Sequence, residues 1–548
     1  TTEEIPSKGM RFGFPLDINA LIAHGSRKII RDAVTRKGQK NDEMWKALRS
    51  GEPLPPPKVP HIFEKFIATL KSSGINVKKE GDSFQTIPMT DKEVMEMSQG
   101  KVEKDLFLRA QDYRPEKGGL FDEAKTGGVL GKNWTHIDLE STPLPNPAVE
   151  ENIRVLLGLT QANLRDILKG KTQLEGKTGG EALKAVLSKI NIDSEIKKQR
   201  EISLGGRKVA RDKAIKKIRV LRGLKASGSK PVDMMVSKIP VIPPVFRPIT
   251  PSATGPDIIA DANLLYKDFM RATSTLNEVK ELGLPEDDED LQKAKDYRYE
   301  SLKKLYGWTK YPKSSKEKNV KGFIHQIIGS SPKLGMFQAK VLKKRQDLTG
   351  RAVITPDPKL GIDQAGLPEE MAWELYAPFV MKKMVQRGYT PLQAEKFITE
   401  KNEQAKKILE QELKERPILV NRSPTLHKYN IMALYPKLSQ DRVLTLPPLI
   451  EGGFNADHDG DAMQIHVPIS EEAVEEATKN MLPSKNLYMG QRREAFWTPQ
   501  QEAIIGLYRA TKPKQAKPIA IFNTKEEAIK AYESGKISIN DYIEVKKV

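Results

Sequence analysis

Residues Phe454–Pro468 read FNADHDGDAMQIHVP. Three aspartates, Asp457, Asp459 and Asp461, alternate over five positions, with Gly460 directly before the last. In extended backbone, positions i, i+2 and i+4 share a face. Gly460 lets the chain bend so that the three carboxylates converge. Hard anionic oxygens aimed at one point suit Mg²⁺, which takes octahedral oxygen ligation at about 2.0–2.1 Å and keeps positions open for water and phosphate. Without a cation the carboxylates repel one another. An EF-hand calcium loop shares the D-x-D-x-D opening, but its glycine would fall at Ala462 and its bidentate glutamate at Pro468. A chance acidic turn is the other alternative. The loop fits metal-assisted phosphoryl chemistry, in which two ions about 3.5–4 Å apart clamp the attacking and leaving oxygens.

Upstream of this loop, from about Lys340, short β-type runs appear at Arg351–Pro356, Pro417–Asn421 and Asp441–Ile450. A helical insert, Pro368–Arg416, separates the first two. Its second helix is expected to open at Thr390, with Pro391 in the first turn and Gln393 closing a capping box, and to stop before Pro417. Further upstream, Ile258–Leu282 and Leu291–Leu305 are expected to form two helices joined by the acidic turn Pro285–Asp290, an antiparallel hairpin projecting outward. Residues 148–202 read as helical. Gly205–Lys230 holds ten Lys or Arg against the single acid Asp212; a solvated helix face and a binding face are both open readings. From Thr1 to about Gly81 the pattern is mainly helical, broken by the Pro-rich Glu52–Pro60.

The 548 residues suggest three or four units. A net charge of +19 makes a polyanion the first partner to consider. The absence of cysteine excludes disulfides, thiolate zinc sites, iron–sulfur clusters and a cysteine nucleophile. Seven scattered histidines assemble no zinc site, so no zinc is expected. No apolar run reaches membrane-spanning length, and Thr1–Gly13 has no signal-peptide pattern; a cytoplasmic or particle-borne chain with no membrane partner is expected.

NADHDGD (Asn455–Asp461) resembles the NADFDGD signature of the largest (β′) subunit of multisubunit DNA-directed RNA polymerases. Four further stretches, in the family's order, are similar to β′: Arg114–Phe121 with Thr135–Leu139, Lys230–Ile249, Arg345–Val380 and Leu419–Pro436. Lys8–Thr35 followed by Pro60–Val77 resembles the C-terminal end of the β subunit. The resemblance implies the tail of β joined to the front of β′, with the seam near Gly81–Pro88, in a split polymerase of phage origin. It implies a mixed α+β fold: a β C-terminal-like segment at 1–82, a clamp and lid-proximal region at 83–250, and a clamp-helix-like hairpin at 251–312. A rudder or switch-like region at 313–340 would follow. A double-psi β-barrel at 341–500, with its helical insert at 366–416, and the start of a pore region at 501–548 complete the layout.

By the same resemblance, Asp457, Asp459 and Asp461 hold one catalytic Mg²⁺, and a second arrives with the NTP. Arg422 and Asn455 match family residues that contact the sugar hydroxyls of the nucleotide; for Arg422 alone, a loop-packing arginine is the alternative. Lys333, Lys344, Arg345 and Arg351 match basic positions that track template phosphates. His427 and His466 are expected to be structural. His458 stands where the family has Phe, and Ala462 where it has Gln; His458 alternates away from the aspartates, so metal binding should survive. The implied function is Mg-dependent templated transfer of nucleotides to an RNA 3′ end. The partners are template DNA, transcript, NTPs and other polymerase subunits carrying the rest of β and the C-terminal part of β′. Lys267–Val279 lacks the arginine-rich face that docks sigma, so an initiation factor other than an ordinary sigma is expected, in a bacterial host cytoplasm or a virion. Another two-barrel polymerase and a non-catalytic DNA-binding subunit are the alternatives.

Overall fold

The computed structural model describes residues 10–546 except 13–14, 40, 81–82, 106–113, 141, 251, 253–256, 311–319, 490–493, 500–501, 514 and 516. The start of the β-like stretch at Lys8, the centre of the expected seam at Gly81 and the front of the expected rudder at 313–319 lie outside the described residues. The chain forms two compact units, not three or four: residues 1–58 with 343–548, and residues 59–342. The segment expected at 1–82 is thus divided between them.

The first unit is built on a closed barrel. Its strands are β1 (Thr349–Pro356), β2 (Gln364–Pro368), β3 (Ile418–Asn421), β4 (Ile431–Ser439), β5 (Leu444–Leu446) and β6 (Ala462–His466), in the order β1-β5-β2-β4-β3-β6 with β6 closing on β1. The β1–β5 and β2–β4 pairs are parallel and the rest antiparallel. Along β1, Ala352 and Ile354 are buried while Arg351 and Val353 face out, the period-2 pattern of a strand with one wet side. All four residues of β3 are buried. β2 and β5 meet at Gly366 and Thr445, where a Cβ on Gly366 would lie 2.0 Å from the Thr445 hydroxyl. Only glycine allows that approach.

Two local expectations need correction. The run Asp441–Ile450 is a strand only at Leu444–Leu446; Pro447 and Pro448 end it, and Pro448 starts a helix that runs to Phe454. The helical insert has three helices, Glu369–Gln386, Pro391–Thr399 and Glu403–Glu415. The Thr390–Gln393 capping box forms, but the helix it opens breaks at Lys401, which turns left-handed at φ 50°, and Asn402 caps a new start. The stretch from Thr1 to about Gly81 is mainly helical where described, and at its end Ile75–Glu80 pairs antiparallel with Ser83–Pro88.

Residues 16–37 pack on the barrel unit and hold the far end of β6. Asp32 is buried and accepts hydrogen bonds from the Ile469 amide (2.8 Å) and the Ser470 amide (3.2 Å). Lys37, fully buried at the end of a π-helical turn, donates to the Val467 carbonyl (2.8 Å). Phe12 stacks on His466 at 4.1 Å.

The second unit centres on a three-stranded sheet, Ser98–Lys101, Trp134–Asp138 and Lys238–Val241, covered by helices. Arg247 is fully buried there. It donates to the Ile242 carbonyl (2.7 Å), to Asn263 Oδ1 (2.8 Å) and to the Leu120 carbonyl (2.5 Å), and lies 4.4 Å over the Phe121 ring. Helices Asp261–Glu281 and Glu289–Tyr306 pair as expected, with Leu276 buried against Leu291 and Ala294. The pair does not stand free: Arg165 makes two bonds to Asp296 (2.8 and 2.7 Å), and Glu286 accepts from Thr178 (3.2 Å). No helix of the described residues is long and apolar enough to cross a membrane.

Burial pushes the Lys37 ammonium down to about 8, against partial support from Asp32 and Asp347. Between that value and the ordinary lysine range the unfolded chain binds the extra proton, so this group adds stability as pH rises from about 8 to about 10.5. Urea unfolding of wild type and Lys37→Met across that window should show the wild type gaining on the variant by a few kcal/mol, on the order of 3. A pH-independent difference would contradict the buried, charge-disfavoured setting.

Candidate metal centre

The aspartate loop joins the helix Pro448–Phe454 to β6. Asn455 ends that helix in the left-handed conformation (φ 51°, ψ 44°), which asparagine tolerates better than most residues, and its amide returns to the Glu451 and Gly452 carbonyls. Gly460, at φ 118°, makes the second bend. With the chain bent at these two points, Asp457, Asp459 and Asp461 each bring a carboxylate oxygen within 4.8 Å of the others. Asp457 and Asp459 are exposed and Asp461 is half-buried. Among the described residues this is the one group of three or more acids or histidines placed to share a metal ion.

Electrostatics separates the three. Asp457 is raised above the usual carboxylate range, first by its hydrogen bond with Asp459, with Asp461 adding to the effect. Asp461 is lowered, chiefly by Arg422, whose Nε donates to Oδ2 at 2.7 Å. The same oxygen also accepts from the Asp457 amide at 3.3 Å. Neither Nη of Arg422 has a protein partner among the described residues. Arg422 follows β3 directly, and its amide donates to the Asn430 carbonyl (3.1 Å).

The loop is fastened to the barrel from several sides. The Ile354 amide of β1 donates to the Asp461 carbonyl at 3.0 Å. His458 points away from the carboxylates, as its alternation implied: one ring nitrogen is 2.9 Å from Glu451 Oε1 and the other 3.4 Å from the Ile354 carbonyl. Asn430, which the sequence reading did not single out, is buried and donates to the Phe454 carbonyl (2.9 Å) while its Oδ1 accepts from the His427 amide (3.1 Å). It ties the segment bearing Arg422 to the helix bearing the aspartates. Its signal was legible only as a polar residue inside the apolar run YNIMAL, Tyr429–Leu434. His466 is fully buried and burial lowers it well below the usual range, in keeping with a structural role.

The basic candidates lie on separate elements. Arg351 is exposed on the outer face of β1, opposite Gln464. Lys344 and Arg345 precede that strand; Lys344 is half-buried, lowered by desolvation, and lies against Gly38, whereas Arg345 bridges the backbone of Arg11. Lys333 is exposed and belongs to the other unit.

Residues 343–402 and 386–482 match the family model described as RNA polymerase Rpb1, domain 2, the region that contains the barrel and the aspartate loop. Over 399 residues, 71% of its length, the chain is 34% identical to the β′ subunit of DNA-directed RNA polymerase from Staphylococcus aureus, of which it covers 37%. The same identity holds for β′ of Staphylococcus aureus strains Mu50 and N315, with 32% covered. The chain is therefore β′-like, and it spans about a third of the length of the curated relatives it matches.

If the triad is a cation site, protons and metal compete for it. Mn²⁺ binding followed by electron paramagnetic resonance should weaken as pH falls into the carboxylate range. Arg422→Ala removes the charge that depresses Asp461, so Asp461 should take up its proton at higher pH and the midpoint of metal loss should move up. An unchanged midpoint would show that Arg422 does not set the acidity of Asp461.

Proposed function

We propose that this β′-like chain is a catalytic subunit of a multisubunit DNA-directed RNA polymerase. The observation that carries the reading is the convergence of three carboxylates on one turn at the mouth of a closed barrel, with one of them fixed by Arg422. The donor set fits Mg²⁺: all ligands are hard oxygens, the acids are open to solvent, and their mutual repulsion leaves Asp457 reluctant to ionise alone. A Mg²⁺ held by Asp457, Asp459 and Asp461 would supply charge to the RNA 3′ oxygen and the triphosphate, with a second ion entering on the NTP.

The remaining roles belong to the protein's own groups. Arg422 orients Asp461 through Nε and keeps its Nη groups for a ribose hydroxyl. The Asn455 side chain, held at the helix end beside the loop, is assigned to the same sugar. A site built to bond a 2′-OH rejects the deoxy analogue because its donors are then left unpaired. Lys344, Arg345, Arg351 and Lys333 are assigned to phosphates of the template, giving salt-sensitive and sequence-independent grip. The barrel is read as the double-psi type, and the pair Asp261–Glu281 and Glu289–Tyr306 as clamp helices. Residues 1–82 are read as a β C-terminal-like segment. Charge on the triphosphate calls for cations beyond the metals, which we assign to partner subunits of the polymerase. The helix face Lys267–Val279 carries only Lys267 and Arg271, so the initiation factor is proposed to differ from an ordinary sigma.

In the reconstituted enzyme, Asp459→Ala should abolish nucleotide addition without loss of assembly; near-normal elongation would remove the catalytic assignment. Sugar choice is best tested by Asn455→Gly, which keeps the left-handed backbone and deletes the amide. Its NTP over dNTP preference in kcat/KM should fall, on the order of tenfold for one lost hydrogen bond to the sugar. Arg422→Ala should lose both discrimination and kcat because it also releases Asp461. If Asn455→Gly discriminates as wild type does, its side chain serves only the backbone turn.

A further inference from the structure

Asn430 ends the short turn Lys428–Asn430 between β3 and β4, and it is 1% exposed. Each of its polar atoms is bonded. Nδ2 donates to the Phe454 carbonyl at 2.9 Å, and Oδ1 accepts from the His427 amide at 3.1 Å. The Asn430 amide donates to the His427 carbonyl (3.1 Å), and the Asn430 carbonyl accepts from the Arg422 amide (3.1 Å). A carbonyl only accepts and an amide N–H only donates, so these partners also fix which way round the side-chain amide lies.

Two of these bonds end on the peptides that lead into the residues assigned to the sugar. The Phe454 carbonyl belongs to the peptide that carries the Asn455 nitrogen. It lies at the end of the helix Pro448–Phe454, where carbonyls have no following turn to bond. The Arg422 amide is the nitrogen of Arg422 itself. One buried side chain therefore holds the start of Asn455, and the backbone of the same residue holds the start of Arg422. The spacing is limited from the other side as well. Tyr429, next to Asn430, stacks on Phe496 at 4.0 Å, and Phe496 meets Trp497 edge-on at 4.5 Å. A Cβ on Gly453 would lie 2.4 Å from the Trp497 ring, so the helix already rests on that ring. The rings stop the turn and the helix from closing further, and the Asn430 bond stops them from parting.

We propose that Asn430 is a positioning residue that fixes the distance between Arg422 and Asn455, and through it the preference for a ribose over a deoxyribose nucleotide. The inference rests on the sugar-contacting roles assigned above to those two residues. Asn430 itself is enclosed and acts through them. A hydrogen bond of the N–H···O kind spans only about 2.7–3.2 Å. A side chain carried on an untied peptide therefore loses its grip on a hydroxyl after a small drift. The carboxylates are less exposed to that drift, because they are held separately through the Ile354 amide and Arg422 Nε.

The test is single-nucleotide addition of an NTP and the matching dNTP by the reconstituted enzyme, with kcat/KM for each. Wild type, Asn430→Ala, Asn455→Gly and the double variant are compared. Asn430→Ala keeps the backbone bond to Arg422 and removes the bond to Phe454, so its preference for the NTP should fall on the order of tenfold. The loss should lie in the NTP, with kcat/KM for the dNTP nearly unchanged. Because the lost bond acts through Asn455, the double variant should discriminate about as Asn455→Gly does, well short of the product of the two losses. Asn430→Ser, polar but one bond too short for the Phe454 carbonyl, should behave as the alanine variant does, and it carries the test if alanine prevents assembly. Equal losses for NTP and dNTP would overturn the proposal and leave Asn430 a purely structural part. A wild-type preference in the Asn430 variants, or losses that multiply in the double variant, would overturn it too. If Asn455→Gly and Arg422→Ala also keep the wild-type preference, the sugar assignment fails and this inference with it. If those two lose the preference while the Asn430 variants keep it, the positioning role alone fails.

Discussion

Mutual repulsion among three carboxylates is the constraint around which the barrel unit is arranged. Asp457, Asp459 and Asp461 sit within 4.8 Å of one another on a seven-residue turn, and nothing in the turn itself favours that crowding. The surroundings impose it. The Asp461 carbonyl is bonded to β1, Asp461 Oδ2 to Arg422 at the end of β3, and His458 to Glu451 on the preceding helix. β1 and the end of β3, both distant from the loop in sequence, meet it only because the barrel closes, so the charge cluster is a consequence of the fold. Its proton affinities are already split, with Asp457 raised and Asp461 lowered, and a divalent cation would remove the repulsion that splits them.

The outlet of β6 is held as firmly as its inlet. Arg416, at the end of the helical insert, donates to the Pro468 and Ile469 carbonyls (3.0 and 3.1 Å) and pairs with Glu412 and Glu471 (2.7 and 2.8 Å). Asp32 and Lys37, from a segment more than 400 residues away in sequence, bond the same short stretch. The outlet of the strand that follows the aspartates is therefore fixed by charged groups buried at some desolvation cost, and its inlet by the half-buried Arg422–Asp461 pair. Such groups stabilise only while every partner is in place, which makes the N-terminal segment part of the barrel unit.

The aspartate loop was legible in the sequence because its chemistry is local: spacing, one glycine and three acids within five residues. The capping box at Thr390 and the paired helices around 261–306 were legible for the same reason. What the sequence hid depends on distant partners. β2, QAGLP, has the composition of a turn and is a strand only because β4 and β5 pair with it across Gly366. The Pro447–Pro448 step ends a run that reads as continuous β, and Lys401 breaks a helix at a residue with no turn signal. Arg422 was marked for the nucleotide, while its bond to Asp461 became visible only in three dimensions.

The central claim is that the triad is where a divalent ion sits. Fe²⁺ put in place of Mg²⁺, with ascorbate and peroxide, cuts polypeptide backbone within reach of the bound ion. Mapping the fragments of the full chain should give cuts clustered at 457–461 and at the neighbours packed against the loop, near Ile354, Arg422 and Glu451. Excess Mg²⁺ and Asp459→Asn should suppress them. Cleavage centred elsewhere, or a pattern unchanged in Asp459→Asn, would contradict the account.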